Sequence, residues 1–159
     1  PKNKTGVLPD VYNIGCLGKI ISFNETDDKR FIISLSGIIR FRIINELKKE
    51  KLYRNFEVDY SEFLTDLKDK KDQMLNDDKK NLLNKIRIYF QKINYPIDYN
   101  ELIKLNLDQL ISTTSMISPF TTEEKQKLIE TVNINDKIKI LDEIISFNLA
   151  DFQENKTVQ

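Results

Sequence analysis

The side chains that most often do chemistry are sparse in this sequence. The 159 residues contain no histidine. That removes the usual general base near neutral pH and the commonest zinc ligand, and with them any Ser-His-Asp or Cys-His arrangement within the chain. Cys16 is the only cysteine, so neither an intramolecular disulfide nor a CxxC metal site can form. A lone thiol fits a reducing compartment, and the cytoplasm is the expected location. Serine and lysine could pair as nucleophile and base. Ser34 and Ser36, however, sit in a strand pattern, and Ser112, Ser115 and Ser118 lie in or just after a helical one. None of them stands in a recognisable catalytic motif.

Cofactor motifs are equally thin. The four glycines, Gly6, Gly15, Gly18 and Gly37, cannot build a P-loop or a dinucleotide fingerprint. Gly15-Cys16-Leu17-Gly18 has the GxxG spacing of an RNA-clamping loop. That loop joins two helices and carries basic residues, whereas this segment reads as a strand, so close backbone packing is the better reading. Asp66 to Lys80 is rich in both charges, but its carboxylates lack the spacing of a calcium loop. It reads as a solvated linker or the exposed start of a helix. No catalytic residue, metal site or cofactor is expected, and the chain is read as a non-enzyme.

Two kinds of residue remain for recognition. Arg40 and Arg42 flank Phe41. The preferred reading is a polar strand face whose aliphatic stems cover the sheet. The alternative is that one of them anchors a partner carboxylate or a buried ion pair. Aromatic residues concentrate in the first half: Phe23, Phe31, Phe41, Tyr53, Phe56, Tyr60 and Phe63. Most of these are expected in the core, and any exposed together would form an apolar patch suited to unfolded polypeptide. Phe23, Arg40, Arg42, Tyr53 and Phe56 are therefore the candidate peptide contacts.

The elements that must position these residues show two periods. Leu17 to Phe23 reads as a strand, the polar run Glu25 to Arg30 as its turn, and Phe31, Ile33 and Leu35 as one face of the next strand. Period-two alternation assigns that set to the core. Alternation resumes at Ile39, Phe41 and Ile43 after Gly37, which predicts a bulge or tight bend there. A further strand is predicted over Tyr53 to Tyr60.

From residue 81 the period becomes helical. Leu82, Ile86, Tyr89, Phe90 and Ile93 form one stripe, ended by Pro96. Asp98 with Glu101, Asn106 with Gln109, Thr121 with Glu124 and Asn133 with Asp136 mark four further helix starts. Leu110, Ile111, Met116 and Ile117 are assigned to the third helix, and Ile134, Ile138, Leu141, Ile145 and Leu149 to the last. The fold class is α+β: a β subdomain at 1–65, a charged link at 66–80, a helical bundle at 81–151 and a tail at 152–159. Lysine plus arginine equal aspartate plus glutamate at 25 each, which argues against general nucleic-acid binding. No apolar run approaches the ~20 residues of a membrane span, and no membrane partner is expected.

Three segments together carry a family resemblance. Tyr12 to Ile20, Ser36 to Ile43 and Pro119 to Glu130 resemble, in order, two strands and a helical segment of the N-terminal substrate-binding domain of Lon proteases. Cys16, the Ser22–Asp28 hairpin and the chain's end soon after the last helix are closer to the small stand-alone bacterial members. The resemblance implies a PUA-like β-barrel followed by a helical bundle, and a non-catalytic module of protein quality control. Its partners would be unfolded or damaged polypeptides together with a protease, bound through apolar patches and strand edges. RNA binding is the alternative that PUA-like barrels leave open. The family's opening strands have no counterpart after Pro1, so the barrel is expected to be incomplete at its N-terminus and to expose edges.

Overall fold

The computed structural model describes residues 9–48, 52–68 and 76–154. The chain divides into two compact units, Pro1–Lys68 and Asp69–Gln159.

Among its described residues, the first unit forms a three-stranded antiparallel sheet in the order β1-β2-β3. Its strands are β1 (Ile14–Glu25), β2 (Phe31–Glu46) and β3 (Phe56–Asp59), followed by a 3₁₀ segment, Ser61–Leu67. β1 and β2 form a long hairpin. Its turn closes through Thr26 N–H to Arg30 C=O at 2.9 Å and Lys29 N–H to Thr26 C=O at 2.9 Å. Lys29 takes the left-handed conformation at φ 60°, which glycine would adopt with less strain. The tip holds it there: Thr26 Oγ1 donates to Asp28, and Arg30 Nε donates to Asp28 Oδ2 at 2.6 Å. These bonds, that from Arg30 foremost, lower the Asp28 pKa below its ordinary value.

Gly37 marks a bulge. Leu17 pairs with Ile39 and Gly18 with Gly37, leaving Ile38 as the extra residue. A second bulge inserts Ile21 into β1, and a third inserts Ile44 into β2. The strand predicted over Tyr53 to Tyr60 is shorter: Tyr53 precedes β3, and Tyr60 already caps the 3₁₀ segment. The small core of this unit is Ile14, Ile39 and Phe63, with Tyr60 packed against it. The described strands form an open sheet, and a closed barrel would need further strands to join β1 to β3.

The second unit is helical: α1 (Asn76–Lys92), α2 (Tyr99–Lys104), α3 (Leu107–Ile117), α4 (Thr122–Glu130) and α5 (Ile134–Glu154). The α1 stripe buries Leu82, Leu83, Ile86, Tyr89 and Phe90 against Leu110, Ile111, Leu128, Leu141 and Ile145. α1 stops before Pro96 is reached. Asn94 turns left-handed at φ 53°, and Tyr95 N–H bonds Phe90 C=O at 3.0 Å, a Schellman closure. Reciprocal capping boxes form at Asn106/Gln109 and Thr121/Glu124. At Asp98 only half of the box forms, because Glu101 pairs with Lys104 instead. Met116, assigned above to the third helix's apolar stripe, is 78% exposed, while Thr114 lies fully buried. The buried face of α3 runs through Leu107, Leu110, Ile111 and Thr114, and Met116 falls outside that arc.

Asp66, read above as part of a solvated charge run, belongs to the sheet unit. Its side chain is 14% exposed and pairs with Arg40. Asp69, Lys70, Lys71 and Asp72 of the same run lie outside the described residues.

Candidate functional site

The hairpin separates its side chains by chemistry. Directly opposed residues of an antiparallel pair share a face. Ser22 pairs with Ser34, and their hydroxyls meet at 3.2 Å. Lys19 with Ser36 and Asn24 with Ile32 occupy that same, mostly polar face. The other face carries Ile20 opposite Leu35, Phe23 opposite Ile33, and, one pair further toward the turn, Phe31 opposite Glu25. The bulge at Ile21 makes this possible, since it keeps Ile20 and Phe23 on one face although they are three residues apart. The rings of Phe23 and Phe31 stack with centroids 5.0 Å apart and planes 25° apart.

That apolar face is uncovered. Ile20 is 59% exposed, Phe23 55%, Phe31 56%, Ile33 47% and Leu35 64%. Alternation identified the set correctly, but the expectation that it faces a core is wrong. Within the sheet unit, β3 and the 3₁₀ segment meet β2 at its Arg40–Glu46 end, and the small core of Ile14, Ile39 and Phe63 lies there rather than under the hairpin. Five such side chains at about half exposure present on the order of 500 Å², near the top of what a monomer ordinarily exposes.

Of the candidate contacts, only Phe23 lies on this face. Arg40 is buried, and both its Nε and Nη2 donate to Asp66 at 2.8 Å. Its guanidinium also lies 4.6 Å from the Phe63 ring centroid. Arg42 pairs with Glu62 at 2.6 Å on the sheet's surface. For Arg40 the polar-face reading therefore gives way to the buried ion pair, whereas Arg42 stays on the polar surface. Both side chains tie the 3₁₀ segment to β2: Asp66 and Glu62, four residues apart on that segment, pair with Arg40 and Arg42, two residues apart on the strand. Tyr53 is exposed just before β3. Phe56 is half-buried beneath Arg54, whose guanidinium sits 5.0 Å from the ring and pairs with Glu46 at 2.7 Å. Phe56 opposes Glu46, at the far end of β2 from Phe31. Tyr53 and Phe56 thus flank the opposite end of the sheet from Phe23.

Sequence reasoning missed Ile20, Phe31, Ile33 and Leu35 as surface residues. The available signal was the alternation itself, which marks an amphipathic strand but not what lies on its apolar side. The GxxG segment lies within β1, as close packing requires: a Cβ on Gly15 would stand 2.7 Å from the tip of the Phe41 ring opposite. In the helical unit, a shallow groove between α1 and α5 is lined by Asn81, Lys85, Ile138, Lys139 and Asp142, and a Lys85–Asp142 ion pair spans it. Among the described residues, no cluster of His, Cys, Asp or Glu is disposed to hold a metal ion, and no helix is long and apolar enough to cross a membrane.

The comparisons bear on the fold and the family. No curated protein matches the chain. Among solved structures, the N-terminal domain of Mycobacterium avium complex Lon protease superposes with a TM-score of 0.64 at 16% sequence identity, over 88% of this chain and 74% of that one. At that identity the likeness is one of fold. The family model of the ATP-dependent protease La (LON) substrate-binding domain matches residues 1–146. That match spans both the sheet and the helical bundle, and the chain belongs to the LON substrate-binding domain family.

Proposed function

We propose that this chain is a polypeptide-recognition module that binds unfolded or damaged proteins through the apolar face of the β1–β2 hairpin. The observation that carries the reading is the exposed row Ile20, Phe23, Phe31, Ile33 and Leu35, set on a hairpin whose other face is mostly polar. An exposed apolar surface suits clients that share hydrophobicity rather than sequence. Phe23 is the contact kept from the sequence reading. Arg40 and Arg42 act as positioning residues, since their guanidinium groups hold the 3₁₀ segment against β2. Delivery of clients to a protease, as an adaptor of cytoplasmic quality control, completes the proposal and rests on the family.

Fluorescence titration of the chain against a permanently unfolded model protein tests this. Saturable binding is expected, lost in a Phe23→Asp/Ile33→Asp variant whose circular dichroism is unchanged. No saturable binding by the parent chain, or full binding by the variant, would overturn it.

A further inference from the structure

We infer that the core of the helical unit binds one water molecule, bridged by the hydroxyls of Tyr89, Thr114 and Ser118. The water joins α1 to the end of α3, and the site uses no residue of the hairpin surface.

Hydrogen bonding supplies the first argument. Tyr89, Thr114 and Ser118 are among the most completely buried side chains. Among the described residues, no protein group bonds any of their three hydroxyl oxygens. A buried hydroxyl without a partner is destabilising, and three of them in one otherwise apolar core point to a shared partner. Serine and threonine on a helix can bond the carbonyl four residues back. Ser115 does so, its Oγ donating to Ile111 C=O at 2.7 Å. Thr114 and Ser118, on the same helix and its cap, do not.

Position supplies the second. Ser118 caps α3 one turn beyond Thr114, and its N–H donates to Thr114 C=O at 3.0 Å, which stacks the two on one face. Phe120 follows two residues later, and its ring centroid lies 5.6 Å from that of Tyr89. The three hydroxyls thus belong to one corner of the core, with no two of them bonded directly. Water suits this corner because it both donates and accepts, and three partners is the usual number for a buried water. A cation is the poorer occupant, since all three hydroxyls are neutral. An apolar ligand would leave each of them unpaired.

The test uses the full chain and oxygen-17 magnetic relaxation dispersion, which counts long-lived internal waters. A Thr114→Val/Ser118→Ala variant should lose one such water relative to the parent. Tyr89→Phe should keep it at little cost to stability, because two partners still suffice. The thermal midpoint of the double variant should fall by roughly 5 °C, whereas replacing unpaired hydroxyls by groups of similar shape would leave it unchanged or raise it. A crystal structure of the parent should place the water within about 3.2 Å of at least two of the three oxygens. That structure also decides the matter if the double variant fails to fold. Equal water counts in parent and folded double variant, an undiminished midpoint, or a crystal structure in which the hydroxyls bond one another directly overturns the inference.

Discussion

Arg40 and Asp66 form a two-pronged ion pair, Nε to Oδ2 and Nη2 to Oδ1, each at 2.8 Å, and the same Oδ2 accepts Arg40's own backbone N–H at 3.2 Å. One carboxylate thus ties both the main chain and the side chain of β2 to the 3₁₀ segment. The two side chains are 8% and 14% exposed. Removing one partner would leave the other charge buried and uncompensated, so Asp66→Ala should destabilise the sheet unit by about 3 kcal/mol. Arg40→Met with Asp66→Leu should recover much of that loss. Urea unfolding followed by a probe in the sheet unit measures both; an Asp66→Ala change under 0.5 kcal/mol would show the pair to be dispensable.

The hairpin face should behave in the opposite way. Phe23→Asp and Ile33→Asp alter exposed side chains that fill no core. Each should change stability by no more than about 0.5 kcal/mol, as surface substitutions do. Each should also weaken binding of unfolded polypeptide roughly tenfold, the effect of losing one well-buried apolar contact. Parallel thermal melts and titrations separate the two effects.

Gly15 should not tolerate a side chain. A Cβ there would stand 2.7 Å and 2.8 Å from two atoms of the Phe41 ring, which packs edge-on against Tyr60 at 6.1 Å. Gly15→Ala should cost about 1–3 kcal/mol through overpacking. In a Phe41→Leu background the penalty should shrink, because the shorter side chain makes room. A double-mutant cycle by urea unfolding reads that coupling.

Tyr89 gives the helical unit an alkaline limit. Burial raises its pKa above the ordinary value of 10.0. The unfolded chain therefore ionises first as pH rises. The stabilisation is complete below about pH 10 and is lost as pH climbs from there through the folded-state pKa. Tyr89→Phe should remove this step from the stability-versus-pH curve. Near neutral pH it should cost little, because no hydrogen bond closes on the buried Tyr89 hydroxyl among the described residues. An unchanged alkaline step in the variant would assign it to another group.

Strain at Lys29 should also be open to relief. Its φ of 60° is left-handed, and Lys29→Gly should stabilise the hairpin by up to about 1 kcal/mol if the Asp28–Arg30 contact survives. Amide exchange at the base of the turn would report it.

By itself the sequence determined the features whose causes lie within a few residues. The caps at Asn106 and Thr121, the α1 stripe, the turn after Glu25 and the bulge at Gly37 all follow from local hydrogen bonding and side-chain period. So did the lack of histidine and of a nucleotide loop, which are plain facts of composition. Tertiary structure alone decided matters that depend on distant residues. Arg40 finds its carboxylate 26 positions away, in a run that reads as solvated linker. Thr114 takes a buried place on α3, whereas Met116 faces solvent, because neighbouring helices set the arc that is covered. Most consequential is the row Phe31, Ile33 and Leu35. Alternation shows that a strand has an apolar face, but whether that face meets a core or water depends on what packs against it. Here the described fold leaves it open, which turned a predicted core into the candidate binding surface.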